Sequence, residues 1–255
     1  MDLITIFNYP KDSEKYTDMC NIWLYHANQF KGDLNVRIFT QGGVNEEVKE
    51  VIDGFGFSLE ILSGIKVSTG NSPIANKTNH NVGFKLFNLC KQTTPFIFVD
   101  ADAFILEDIN KLVELSGGQR FVGVDHEKIP RHTEHFQYRF LNSGVQVVND
   151  PTILVFDEII KMKMVSPGTD QSLLFSYFKH INYDYTNPNI GFEWNSFAHY
   201  VKVEMKENKW VATSTGLDYT HPVYINHYWN PESKPWEIDC PIYKKYLEDG
   251  HIFVQ

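Results

Sequence analysis

The chain has 255 residues, 42% hydrophobic and 15% aromatic, enough to bury a proper core as one large α/β domain or two small ones. A formal net charge of −9 argues against a protein that holds nucleic acid through its overall field, while leaving room for one local phosphate site served by a cation. Cys20, Cys90 and Cys240 are odd in number, widely spaced and free of any CxxC, which argues against a disulfide frame or zinc cage and favours reduced thiols in a cytosolic setting.

The N-terminus meets Asp2 and Pro10 early and so is expected to be neither signal peptide nor anchor; no apolar run approaches the ~18 residues a bilayer span needs, so a soluble chain is expected. LITIF (3–7) reads as a short buried strand, and 13–30 has helical spacing with Met19, Ile22, Trp23 and His26 on one face. VRIFT (36–40) is a second strand, 45–52 a helix, and FSLEIL (57–62) a third strand. Residues 63–79 are polar and rich in Gly, Ser and Asn, a loop long enough to be functional. A helix over 81–91 leads into the strand FIFV (96–99), about the fourth.

The second half is less regular. Strands are predicted at 121–124 and 144–148, a helix at 151–162 with Pro151 in its first turn, and a helix at 169–178 that opens on Thr169, Asp170 and Gln171. Residues 201–205, the turn ENK and 210–213 have the pattern of a β-hairpin. No repeat, low-complexity tract or linker divides the chain, so residues 1–255 read as one continuous domain.

Chemistry concentrates where FIFV runs into Asp100, Ala101 and Asp102. An open α/β sheet binds its ligands beyond the carboxyl ends of its strands. Residues i and i+2 of an extended segment point to one side, so the two carboxylates are expected to converge, and a divalent cation would satisfy both. The plainer reading is a solvated strand-to-turn junction with an acidic helix cap, since Glu107 and Asp108 follow closely. Downstream stand LNSGVQVVN (141–149), PGTDQSLLF (167–175) and INHYWNPESKPW (225–236).

With FVDAD these form an ordered set that resembles the motifs of the GT-A nucleotide-sugar glycosyltransferases, and specifically glycosyltransferase family 8, the family of glycogenin and of bacterial lipooligosaccharide galactosyltransferases. The resemblance spans residues 3–236 and implies a Rossmann-like α/β fold with a mixed, mainly parallel central sheet flanked by helices. It implies transfer of a sugar, with retention, from a nucleotide diphosphate donor, UDP-linked in the first instance, to a hydroxyl of a glycan or other acceptor. It assigns Asp100 and Asp102 to metal and nucleotide, His227 as third metal ligand, and Lys234 to the diphosphate. Two carboxylates and an imidazole suit manganese better than magnesium. Ala101 lies between the aspartates in the nucleotide-binding motif. Asn142 and Ser143 correspond to the pair facing the donor sugar, and Asp170 with Gln171 to the DQ beneath the anomeric carbon, although on spacing alone these two could be helix-capping residues. Lys85 matches a position near the nucleotide, and Asn8 with Tyr9 follows the first strand where the base is expected. The chain departs from the family at Asn230, where a glycine is usual, and by one extra residue between His227 and Lys234.

Rival readings lack their key residues. There is no GxSxG, P-loop, HExxH, or GxGxxG after the first strand. His126, His132 and His135 fit no zinc spacing and read as part of a solvated loop bordering the acceptor site. A haloacid-dehalogenase-type phosphohydrolase places a DxD on its first strand, and an inverting GT-A enzyme would need a general base, for which Asp125, Asp170 and Glu193 are the candidates.

Overall fold

The computed structural model describes residues 1–62, 78–125, 141–162, 170–198, 201–207, 209–214, 220–228 and 231–249. The first half alternates strand and helix: β1 (Asp2–Ile6), α1 (Glu14–Phe30), β2 (Asn35–Thr40), α2 (Glu46–Gly54), β3 (Ser58–Ile61), α3 (Thr78–Cys90) and β4 (Phe96–Val99). β5 (Ala103–Ile105), α4 (Asn110–Ser116), β6 (Phe121–Asp125), β7 (Leu141–Val148), α5 (Phe156–Ile159) and α6 (Asp170–His180) follow. β8 (Ser196–Phe197), β9 (Val201–Lys206), β10 (Lys209–Ser214), β11 (Thr220–Pro222), β12 (Ile225–His227) and α7 (Pro241–Asp249) complete the chain.

Six strands form the central sheet in the order β3-β2-β1-β4-β7-β6. β1, β2, β3 and β4 run parallel, while β7 is antiparallel to both β4 and β6. The strands are apolar on both faces because both are covered, as parallel strands with crossover helices require. Leu3, Ile38, Ile97, Val99, Val145 and Val147 pack on one side with α1 residues Met19, Ile22 and Trp23. Their alternates Ile4, Phe39, Phe96, Phe98 and Val148 pack on the other with α3 and α6 residues Phe84, Leu173 and Phe178. The predicted α1 face is therefore correct for Met19, Ile22 and Trp23, while His26 is only half-buried and bonds the Ile105 carbonyl.

The predicted hairpin is present, with β9 and β10 antiparallel and Met205 opposite Trp210. The predicted helix over 151–162 is broken: a 3-10 turn at Pro151–Ile153 precedes the short α5, and Leu154 and Val155 between them are extended. Straightening there buries Ile153, Leu154 and Ile159 together, which one regular helix would splay around its axis. Of the loop expected at 63–79, residues 63–77 lie outside the described residues, as do His126, His132, His135, Thr169 and Asn230.

The order β3-β2-β1-β4 reverses direction between β1 and β4, and the crevice beyond the carboxyl ends of such a strand pair is where an open α/β sheet receives ligands. Because β7 runs antiparallel beside β4 with Val99 opposite Val145, its opening residues Asn142 to Gly144 lie at the same end. A small sheet, β5-β12-β8, then brings Ile225–His227 to that rim.

Candidate active site

Asp100 and Asp102 converge by a route other than the expected one. The backbone leaves β4 in a tight turn, with Ala103 N donating to the Asp100 carbonyl at 2.9 Å and Asp100 N to the Gly144 carbonyl at 2.8 Å. The turn, not the pleat of an extended segment, sets the two carboxylates on one side, with Ala101 buried between them. β5 then pairs with β12 so that Ala103 faces His227, and Tyr228 N donates to the Asp102 carbonyl at 2.8 Å. His227 Nε2 comes to lie 3.4 Å from Asp102 Oδ1 and 3.9 Å from Asp100 Oδ2.

One ligand atom from each of Asp100, Asp102 and His227 lies within 4.8 Å of the others, a group able to hold a metal ion. The donor set fits a divalent first-row cation: two hard carboxylates and one imidazole, with Asp102 and His227 buried to 8% and 2% exposure so that solvent competes little.

Two lysines neutralise the acids from within. Lys234 Nζ donates to Asp102 Oδ2 and to the Tyr228 carbonyl, the latter at 2.7 Å. Lys85, on α3, reaches Asp100 Oδ1 at 2.9 Å, Asp170 Oδ2 at 2.9 Å and the Ser143 carbonyl at 3.0 Å. Burial pushes the Asp100 carboxyl up, Lys85 pulling it back and Asp102 adding to the rise. Burial acts on Asp102 in the same sense, but Lys234 and His227 outweigh it and hold that carboxyl well below the usual range. Lys85, which burial would push down, is raised by Asp100 and Asp170.

Asp170 is the first residue of α6, and its carboxylate is committed to Lys85 across the crevice, so it does more than cap its own helix. Asn142 and Ser143 are buried at the start of β7, and Asn142 Nδ2 lies 3.4 Å from Gln171 Oε1. Asn8, just past β1, donates to Gln41 Oε1 at 3.3 Å. Tyr9 stacks on Tyr16 with ring centroids 4.7 Å apart, and Tyr16 meets Trp236 edge-on at 5.1 Å. Burial, with Asp102 and Asp100 nearby, pushes the Tyr9 phenol up. Asp100, Asp102, Ser143, Asp170, His227, Lys85 and Lys234 are thus joined by direct contacts, Asn142 meets Gln171, and Tyr9 lies near enough to Asp102 and Asp100 to feel their charge.

Two residues that sequence reasoning passed over complete it. Asn195 Oδ1 lies 2.9 Å from His227 Nδ1, and Asn195 Nδ2 donates to Asn142 Oδ1 at 2.6 Å. Gly144 leaves room for the imidazole: a Cβ there would stand 2.7 Å from His227 Nδ1. A separate cavity of about 740 Å³, lined by Phe30, Leu106, Trp210, Tyr224 and Lys245 among others, touches none of the metal-group residues.

No protein-family model matches the sequence, and no curated protein matches it in sequence. Solved structures do share its fold. An active-site mutant of LgtC superposes with a TM-score of 0.63 at 15% identity, over 97% of this chain and 94% of that one. The glycosyltransferase GlyE of Streptococcus pneumoniae TIGR4 gives 0.63 at 14% identity, over 99% of this chain and 62% of that one. Mouse xyloside xylosyltransferase 1 gives 0.57 at 12% identity, over 91% and 98%. The fold is the GT-A glycosyltransferase fold, a mixed α/β architecture around a mainly parallel sheet, as the motif set implied.

Proposed function

We propose that the protein is a metal-dependent, retaining glycosyltransferase that moves a hexose or similar sugar from a UDP-linked donor to a hydroxyl of a glycan or other acceptor. The reading rests on the convergence of Asp100, Asp102 and His227 in the β1/β4 crevice of a GT-A fold, with Lys234 against Asp102 and Asn142, Asp170 and Gln171 on the adjoining wall. LgtC, of the same fold, is a galactosyltransferase solved with donor and acceptor sugar analogues.

A divalent cation held by Asp100, Asp102 and His227, manganese in preference to magnesium, would offset the charge of a diphosphate in an acidic protein. The Lys234 ammonium adds a second positive charge where the leaving group gathers its negative charge. Asn8 and Tyr9 bound the end of the crevice suited to the base, and Ser143 and Asn142 the end suited to the sugar. Asp170 is engaged by Lys85 at 2.9 Å and Gln171 is an amide, so neither is a favourable nucleophile for double displacement. Attack on the face from which the diphosphate departs, with the departing phosphate taking the acceptor proton, fits this constellation. A haloacid-dehalogenase-type phosphohydrolase fits less well, because the DxD follows the fourth strand rather than the first.

Hydrolysis of a panel of nucleotide sugars with and without Mn²⁺ tests the reading. The expected result is metal-dependent turnover of a UDP-sugar, and NMR of the product of transfer to an acceptor hydroxyl should show an α-linkage from an α-linked donor. A β-linkage moves the protein to the inverting class. Absence of both binding and turnover for every nucleotide sugar defeats the proposal.

A further inference from the structure

We infer that Asn195 is a positioning residue that sets the tautomer of His227 and ties the metal ligand to the sugar-facing wall, an inference that rests on the proposed metal site. The polarity of the whole chain of contacts follows from one backbone group. Gly144 N–H can only donate, so the Asn142 atom 2.9 Å away is its oxygen. That oxygen also receives a bond at 2.6 Å from Asn195, which must present its nitrogen there. Asn195 is thereby turned so that its oxygen faces His227 Nδ1 at 2.9 Å, and an amide oxygen can only accept. His227 therefore carries its proton on Nδ1. In the neutral ring, Nε2 is then a bare lone pair aimed at the space between Asp100 and Asp102.

The opposite tautomer has its own attraction. A proton on Nε2 would be drawn to Asp102 Oδ1 at 3.4 Å, and it would close the metal position. Asn195 decides against this, in the manner by which outer partners fix the ring of a metal-bound histidine. At the other end, orienting the Asn142 oxygen toward Gly144 and Asn195 sends Asn142 Nδ2 toward Gln171 Oε1 at 3.4 Å. Metal ligand and sugar-side amide are thus joined through Asn195 and Asn142, and all but Gln171 are buried.

Two substitutions separate the two ends. Asn195→Ala removes both bonds. Asn195→Asp still accepts from His227 Nδ1 but has no hydrogen for the Asn142 oxygen, so two acceptors would face each other. The metal-free protein is labelled with ¹⁵N-histidine and studied at pH 8; Mn²⁺ affinity is measured by calorimetry without nucleotide, and folding by thermal melting. Wild type should show His227 protonated on Nδ1. Asn195→Ala should lose that preference and bind Mn²⁺ about 10- to 100-fold more weakly. Asn195→Asp should keep the tautomer and hold Mn²⁺ affinity within about threefold, while kcat for transfer falls by about tenfold or more. A wild-type ring protonated only on Nε2, or an Asn195→Ala protein with unchanged Mn²⁺ affinity, overturns the role at His227. Full transfer by Asn195→Asp overturns the link to Asn142. The tautomer and Mn²⁺ measurements need no sugar nucleotide, so they stand even if the glycosyltransferase reading falls. Should Asn195→Ala fail to fold, the wild-type tautomer and the Asn195→Asp variant decide.

Discussion

Lys234 stands on the same carboxylate that the metal would use: its ammonium contacts Asp102 Oδ2 while His227 approaches Asp102 Oδ1. Both side chains of the pair are buried, at 12% and 11% exposure, so the attraction is little screened. On the proposed reading the ammonium would compete with a cation at Asp102 before donor arrives and would face the diphosphate afterwards. Lys234→Ala should bind Mn²⁺ alone more tightly, by about three- to tenfold if the lost competition is worth roughly 1 kcal/mol. The same variant should bind Mn²⁺·UDP more weakly and turn over more slowly. Calorimetric titration of Mn²⁺ with and without UDP checks the opposite signs. Lys234→Arg keeps the charge and should recover part of the turnover, because its planar fork replaces a compact ammonium.

Removing either aspartate tests the metal group directly. Asp100→Asn and Asp102→Asn should each abolish metal-dependent UDP binding, since a carboxamide is a weak ligand for a hard cation. They should differ in stability. Asp102→Asn strips Lys234 of its carboxylate and should cost about 1–3 kcal/mol, whereas Lys85 in Asp100→Asn retains Asp170 at 2.9 Å and should cost less. Urea titrations of both variants, beside Mn²⁺·UDP calorimetry, give the comparison; unchanged Mn²⁺-dependent UDP affinity in both would remove the assignment.

What could be read from the sequence was what strong local pattern marks. The alternating pairs Leu3/Ile4, Ile38/Phe39 and Ile97/Phe98 announce strands covered on both faces, and the two sides separate in the fold as written. The candidate site residues came from short, sequential motifs, and three of them, Asp100, Asp102 and His227, meet in the fold as a group able to hold a metal ion. What escaped was long-range or brief. β5, β12 and β8 have three, three and two residues, too few for a period to show, yet they bring Asp102 to His227. Asn195 meets Asn142 across 53 positions, and no local spacing announces such a contact. The break at Leu154–Val155 was missed because tertiary burial of Ile153, Leu154 and Ile159 overrode the helical pattern, whereas the turn at Asp100 was foreseen only in the plainer reading of a strand-to-turn junction.

A pH dependence of stability should arise away from the crevice, at His26. Burial pushes this imidazole down to about 4 from 6.5, although its Nδ1–H donates to the Ile105 carbonyl at 2.6 Å, and Lys245 adds to the fall. Between pH 4 and 6.5 the unfolded chain takes up a proton that the native ring refuses, so stability is complete above pH 6.5 and declines as pH falls through that window. Because the ring is only half-buried, the loss should be on the order of 1–2 kcal/mol rather than the full linkage value. Denaturant midpoints from pH 7.5 to 4.5 should show the decline in wild type, and a His26→Gln variant should show less of it. An unchanged slope in that variant assigns the dependence to other groups.

Gly144 should prove indispensable for reasons of space rather than backbone freedom. Its amide anchors the Asn142 oxygen at 2.9 Å, and its carbonyl accepts from Asp100 N at 2.8 Å, so its place beside β4 is fixed. A methyl group there would meet His227 Nδ1 at 2.7 Å and Asn142 Oδ1 at 2.9 Å, closer than Cβ atoms approach such neighbours. The ring cannot yield easily, because Ala103 lies opposite His227 on β5 and the residue is 2% exposed. Gly144→Ala should therefore cost about 1–3 kcal/mol through overpacking and, by swinging Nε2 away from Asp102, lower Mn²⁺ affinity by at least about tenfold. Denaturation and Mn²⁺ calorimetry measure the two effects separately. A companion Gly144→Ala/His227→Ala protein relieves the clash and should regain most of the lost stability while remaining unable to hold Mn²⁺ well. If the double variant is no more stable than Gly144→Ala, the steric account of this glycine is wrong.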